Sequence, residues 1–260
     1  MHMRDQRHER GFTLTELAVV FAIVSLLLAA GLYTLSAQTD QRNFEETRQR
    51  IEAARSLLLA FAVANGRLPC PATSTSAGDE APAGGGTCTG AYPSGTGGFL
   101  PARAIGFQIT DAGGYAVDAW GNRIRYAVSA GALTGCAGTS SLPHFTSATN
   151  LRLNGLTCQP NDLVVCRTAT GITSTTCGAS PPQPPLTNQT TVVAVIFATG
   201  KTGNQGTGGA DEAANLNGDG VFVWHTPNPA GPTNGEFDHQ MTWITAGELY
   251  GRLVAAGLLP

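Results

Sequence analysis

GFTLTELAVVFAIVSLLLAAGLYTLSA, residues 11–37, is the stretch that decides the fold of this 260-residue chain. A charged leader ends at Gly11, and the apolar run from Phe12 onward contains one ionisable side chain, Glu16. As α-helix, residues 12–37 would be about 39 Å long, enough to cross a bilayer with some tilt. A carboxylate near the end of such a helix is costly in lipid and requires a partner or a function. A secretory signal would have a shorter apolar core followed by a small-x-small cleavage site. Here the glycine precedes the run and the run is longer, which leaves a plain membrane anchor as the simplest competing reading.

The order Gly11, Phe12, Thr13, Leu14 and Glu16 resembles the N-terminus of type IV pilins and type II secretion pseudopilins, written G, F, T-L-x-E. That resemblance implies cleavage by prepilin peptidase between Gly11 and Phe12, loss of the leader 1–11, and methylation of the new N-terminus. It also implies assembly through Phe12 and Glu16, the carboxylate pairing with the amine of a neighbouring subunit's Phe12. Such a pair sets register, because either partner left alone in a desolvated place is strongly penalised. Leu14, Leu17, Val20 and Val24 would then line the core of a filament. Where many pilins carry a helix-breaking proline this chain has Tyr33, and Gly31 is the one helix weakener of the run. The implied partners are other pilin or pseudopilin subunits, the peptidase and an inner-membrane assembly platform.

Arg4, Arg7 and Arg10 outnumber Asp5 and Glu9 in the leader, which predicts a cytoplasmic N-terminus and a single membrane pass. Everything beyond Ala37 is then expected in the bacterial periplasm, and after assembly in a filament in the periplasm or at the cell surface. All six cysteines (Cys70, Cys88, Cys136, Cys158, Cys166 and Cys177) lie in that exported part, where an even count reads as disulfides. Proximity in sequence suggests Cys70 with Cys88, Cys136 with Cys158 and Cys166 with Cys177, one of many connectivities six cysteines allow. The lack of a C-x-x-C pair and the scattered histidines argue against zinc.

Beyond Ala37 the helix continues as an amphipathic segment, residues 38–66. Phe44, Ile51 and Leu58 recur on one stripe, with Ala54 and Phe61 between them and charged residues elsewhere. Asn65-Gly66 and Pro69 end it. Residues 67–260 form the head. Its first part, 73–98, is aperiodic and rich in Gly, Ser, Thr and Pro, and reads as loop. Residues 99–107 suggest a short buried turn or helix. Ile124, Tyr126 and Val128 alternate with Arg123 and Arg125, predicting a half-buried strand over 122–129 with its basic face outward. The stretch DAWGNRIRYAV, 118–128, resembles the D-P-W-G-N block of major pseudopilins, with Ala119 in place of proline. Residues 162–167, 190–199, 221–225 and 240–245 read as further strands, and ASPPQPPL, 179–186, as a linker. TTVVAVIFAT, 190–199, is apolar throughout and is expected at the centre of the sheet. Thr245 and Glu248 suggest a capping box for a last helix holding Leu249, Leu253 and Val254. The expected fold is α+β and pilin-like: a long N-terminal helix packed on a mainly antiparallel sheet with long loops.

Asn215, Asn217 and Asp219, followed by Gly220, match the opening of an EF-hand-type loop, with Asp211 as a further oxygen donor. Thr226 stands where the closing glutamate belongs, so calcium and a metal-free polar turn both remain readings of this loop. His144, His225 and His239 occur without G-x-S-x-G, H-E-x-x-H or P-loop context, so the chain is not read as an enzyme. Net charge is −3 and Lys201 is the single lysine, which argues against nucleic acid as a partner. The resulting expectation is a minor pilin. Its alternatives are a type II secretion pseudopilin or a membrane-anchored periplasmic binding domain that never polymerises.

Overall fold

A computed structural model describes residues 13–130, 143–178, 185–204, 208–231 and 234–259, with backbone alone at 29–36, 204 and 229–231. The chain divides into two compact units, Met1–Asn43 and Phe44–Pro260. Helix α1, Leu14–Asn65, contributes to both. In the first unit the side chains from Leu14 to Leu28 are exposed, Leu14 at 86% and Leu26 at 73%. Among the described residues no helix is long and apolar enough to cross a membrane. Phe12 and the side chains of 29–36, which belong to the expected span 12–37, lie outside those residues.

The second unit adds α2 (Ala102–Ile105), β1 (Arg125–Val128), α3 (Ala148–Asn154), β2 (Val164–Cys166), β3 (Val192–Ala198), α4 (Ala210–Ala214), β4 (Val221–Val223), β5 (Asn228–Gly231), β6 (Gly235–Phe237), β7 (Gln240–Thr245) and α5 (Ala246–Ala255). Strands β1, β3 and β7 form an antiparallel sheet in that spatial order, with Tyr126 opposite Ile196 and Ile196 opposite Thr242. Ile51, Ala54, Leu58 and Ala62 of α1, spaced for one helix face, share a core with Ile124, Tyr126, Ile196 and Ile244 of this region and Leu249 and Leu253 of α5. On the other face Ala127, Val195 and Phe197 pack with Leu163, Val165 and Phe222. Every residue of β3 is therefore buried, which is why it is apolar without alternation.

Several expectations are corrected. The head is not one sheet: β2 and β4 pair in parallel as a separate layer, and β5 and β6 form a small antiparallel pair. Parallel pairing needs a long crossover, and here the chain passes through β3 and α4 between the two strands. The arginines of the β1 region do not form an outward basic face. Arg125 lies over the Phe99 ring at 4.2 Å, and Arg123 lies over Tyr115 at 3.9 Å while pairing with Asp111. Only half of the C-terminal capping box forms. Thr245 accepts from the Glu248 amide, but the Glu248 carboxylate accepts from Arg55 at 2.6 Å instead of turning back. Helix α5 holds Leu249, Leu253 and Val254 as expected, the first two buried and Val254 42% exposed.

Helix α1 stops at Gly66, whose φ of +67° suits glycine and whose N–H still reaches Ala62 O. The loop beyond is fixed at two points. Cys70 is bonded to Cys88. The Arg67 guanidinium donates to both oxygens of Glu80, at 2.8 and 2.6 Å, with both side chains about nine-tenths covered. Cys166 is bonded to Cys177. Cys158 is buried and disulfide-bonded. Its expected partner Cys136, and residues 179–184 of the expected linker, lie outside the described residues.

Leu58→Ala should cost about 2–5 kcal/mol of stability, since the side chain is fully buried between helix and sheet. Glu80→Ala should cost about 3–5 kcal/mol by leaving the Arg67 charge buried and alone. Denaturant unfolding of each variant measures both.

Candidate functional site

The start of α1 is closed by its own residues. The first amides of a helix have no partner inside it and need acceptors from outside. The Glu16 amide donates to Thr13 Oγ1 at 3.3 Å, while Glu16 Oε2 accepts from the Thr13 N–H and hydroxyl, both at 2.9 Å. This is a reciprocal capping box, and it places the first helical residue at Leu14. Reading Glu16 for its cost in lipid and for pairing with a neighbour's amine missed this capping role, although T-x-x-E was present to announce it. Gly11 and Phe12 lie outside the described residues. Leu17, Val20 and Val24 are each between 44% and 50% exposed, so the apolar positions of this unit remain uncovered.

Residues 6–32 match the family description "prokaryotic N-terminal methylation motif". The N-terminus carries the type IV pilin and pseudopilin signature. A match to this motif supports a type IV pilin or pseudopilin-type substrate of prepilin peptidase. Searches of curated proteins and of solved structures return no match.

In the head, the four proposed calcium ligands have separate engagements. Asn215 is buried, its Oδ1 accepting from the Val223 N–H at 2.7 Å and its Nδ2 donating to Val223 O at 3.0 Å. Asn217 turns its amide nitrogen onto Asp219 Oδ2 at 2.8 Å, and Asp219 Oδ1 accepts from the Val221 N–H. Asp211 accepts from the Ala169 N–H and from Asn234 Nδ2, and faces His225 Nε2 at 3.2 Å. The residues that resembled an EF-hand opening are thus turn and strand clamps. Their oxygens accept from this chain's own donors.

A different group converges. Among the described residues, Glu212, Asp238 and His239 are the one trio of carboxylate or imidazole groups whose ligand atoms lie within 4.8 Å of one another, and all three are buried. They come from α4 and the junction of β6 with β7. Both hydrogen-bonding groups of the Asn215 amide are fixed by Val223, so its Nδ2 donates to His239 Nδ1 at 2.9 Å. The imidazole proton therefore sits on Nε2, which faces Glu212 Oε2 at 3.8 Å. Burial, with the Arg125 charge adding to it, pushes the His239 pKa down to about 3 and keeps the ring neutral. A nitrogen that carries its proton toward the carboxylate is not a metal donor, so the trio does not fit a metal ion.

Its two carboxyl groups meet on one hydroxyl instead. Thr202 Oγ1 is 2.7 Å from Glu212 Oε2 and 2.8 Å from Asp238 Oδ1. A hydroxyl has one hydrogen to give, so Thr202 bridges the two groups without satisfying both fully. Burial, followed by the repulsion of Asp238, pushes the Glu212 pKa up to about 7, although Thr202 and the Asp238 N–H pull the other way. The Asp238 carboxylate also accepts from the Thr202 N–H at 2.9 Å. Gly200, at φ +61°, lets the loop pass so close that a Cβ there would stand 2.4 Å from Asp238 Oδ1. Adjacency in sequence suggested Asp238 and His239 but proved nothing about them. Glu212 stood out in the sequence only as a possible oxygen donor beside Asp211, and Thr202 had no signal, because contacts between separate elements leave no local pattern.

An acid whose folded pKa is raised stabilises the fold fully below its unfolded value and loses that contribution as pH rises through the folded one. For Glu212 the window runs from about pH 4.5 to about pH 7. His239, depressed from 6.5, acts in the opposite sense, losing its contribution as pH falls from 6.5 toward 3. Glu212→Gln removes only the first dependence. The stability of the Gln variant relative to the parent should therefore rise between pH 5 and pH 8, by up to about 1.4 kcal/mol per pH unit for one proton. Unfolding midpoints at the two pH values measure it.

Proposed function

We propose that this protein is a structural subunit of a type IV pilus-like filament, a minor pilin rather than an enzyme. The observation that carries the reading is the methylation motif over residues 6–32. In this reading prepilin peptidase removes residues 1–11 and the methylated chain begins at Phe12. Residues 12–37 hold the subunit in the inner membrane and later form the filament core, residues 38–66 continue that helix, and residues 67–260 are the periplasmic head. An assembly platform supplies the work of extraction.

Two features support assembly through the helix. The apolar side chains of the first unit are exposed, as expected of a surface that neighbouring helices cover. Glu16 is exposed while it caps α1, so the amine of a neighbour's Phe12 can approach its carboxylate with only local rearrangement of the cap. A head with long loops, larger than a major subunit needs, favours a minor or tip position. The DAWGN turn, in which Asp118 Oδ1 accepts from the amides of Trp120 and Asn122, favours a type II secretion pseudopilin as the second reading.

Shearing surface filaments from cells and blotting for the protein tests the proposal. Wild type should be found in the sheared fraction with its leader removed, and Glu16→Ala should be processed yet largely absent from that fraction. Processed wild type that never enters sheared filaments would support the secretion pseudopilus. A chain that retains its leader would defeat both and leave an anchored periplasmic domain.

A further inference from the structure

A pocket of about 320 Å³ opens beside the outer strand of the main sheet, its lining including Arg123, Arg125, Asp111, Asn122, Thr199 and Gly203. Two arginines face one carboxylate in that lining. Arg123 is neutralised by Asp111, its Nε donating to Asp111 Oδ2 at 2.7 Å. Arg125 has no such partner among the described residues. Among the described residues its hydrogen bonds run from Nη1 to the carbonyls of Ser94, at 2.8 Å, and Gly97, at 3.5 Å. Its Nε is buried and makes no hydrogen bond. Burial, then the neighbouring Arg123 charge, pulls the Arg125 pKa down to about 10, as expected of a cation kept from water without a counter-ion.

The guanidinium is also held still. It lies over the Phe99 ring at 4.2 Å from the ring centre, and the Ser94 carbonyl fixes one end. A planar cation so pinned is organised for an oxyanion, because little side-chain freedom is lost when one binds. Gly203 lines the pocket beside Thr199 and Asn122. A Cβ on Gly203 would stand 2.2 Å from Thr199 Oγ1 and 3.2 Å from Asn122 Nδ2, so only glycine leaves that lining in place. Asn122 Nδ2 is tied to Gly200 O, which joins the pocket to the loop that follows β3.

We propose that this pocket is an oxyanion site, in which Arg125 receives a phosphate or carboxylate group with Arg123 beside it. The site is independent of the assembly role, and its occupant supplies the counter-ion that Arg125 lacks among the described residues.

The test uses the full chain in detergent, labelled with ¹⁵N, and follows the arginine Nε–H resonances during titration with inorganic phosphate and, separately, with acetate at constant ionic strength. Saturable movement of the Arg125 signal is expected with at least one anion, and the stronger of the two identifies phosphoryl or carboxylate chemistry. Arg125→Gln should abolish anion-dependent movement of the Arg123 signal, whereas Arg103→Gln, an exposed arginine paired with Asp79 outside the pocket, should leave the titration unchanged. If Arg125→Gln fails to fold, Arg123→Gln serves in its place and should weaken binding at Arg125 severalfold. No saturable shift with either anion, or equal loss in Arg103→Gln, overturns the proposal.

Discussion

Strand β3 must be covered on both faces, and the rest of the head follows from that requirement. Its backbone is paired by β1 on one side and β7 on the other. Its side chains, VVAVIFA, have no polar face to offer water. Burying a side chain of this size is worth about 1.5–3 kcal/mol, so both faces need an apolar cover. The 51–62 stripe of α1 supplies one and the β2–β4 layer supplies the other. The helix that begins in the methylation motif is thereby also the lid of the head's core, so one element links the assembly sequence to the globular fold.

Covering both faces displaces the difficulty to the ends of the strand. The loop after Ala198 leaves the sheet amid buried polar groups, and each group must find a partner where water is scarce. Thr199, Thr202, Asn215, Glu212, Asp238 and His239 are all buried there. Asn215 behaves as a strand neighbour to Val223, and the two carboxyl groups meet on the Thr202 hydroxyl. Metal-like composition has become a hydrogen-bonded clamp, because the donors that occupy these oxygens are amides and a hydroxyl of the chain itself. Arg125, on the main sheet, has a buried Nε that makes no hydrogen bond among the described residues.

The legible parts of the sequence were those with local causes. Residues 240–245 and the end of the long helix at Asn65 stand where the pattern put them, since alternation, periodicity and Gly66 act within a few residues. The sequence-adjacent pairings Cys70–Cys88 and Cys166–Cys177 are present. The outward basic face was misread because alternation reports which residues share a side, not what covers that side. Phe99 and Tyr115, distant in sequence, roof the arginines. The parallel β2–β4 pair was hidden because short apolar runs carry no direction.

By itself the sequence determined that this chain begins with a prepilin-type motif and an apolar helix, and that residues 192–198 belong at the centre of a sheet. Those properties reside in the order of neighbouring residues. Only the tertiary structure decided that Glu16 caps its own helix, that Glu212 and Asp238 meet on one hydroxyl, and that Arg125 is half-buried with no carboxylate partner among the described residues. The last two depend on which distant groups the fold brings within a few ångströms, and the first on which of several available partners a carboxylate takes.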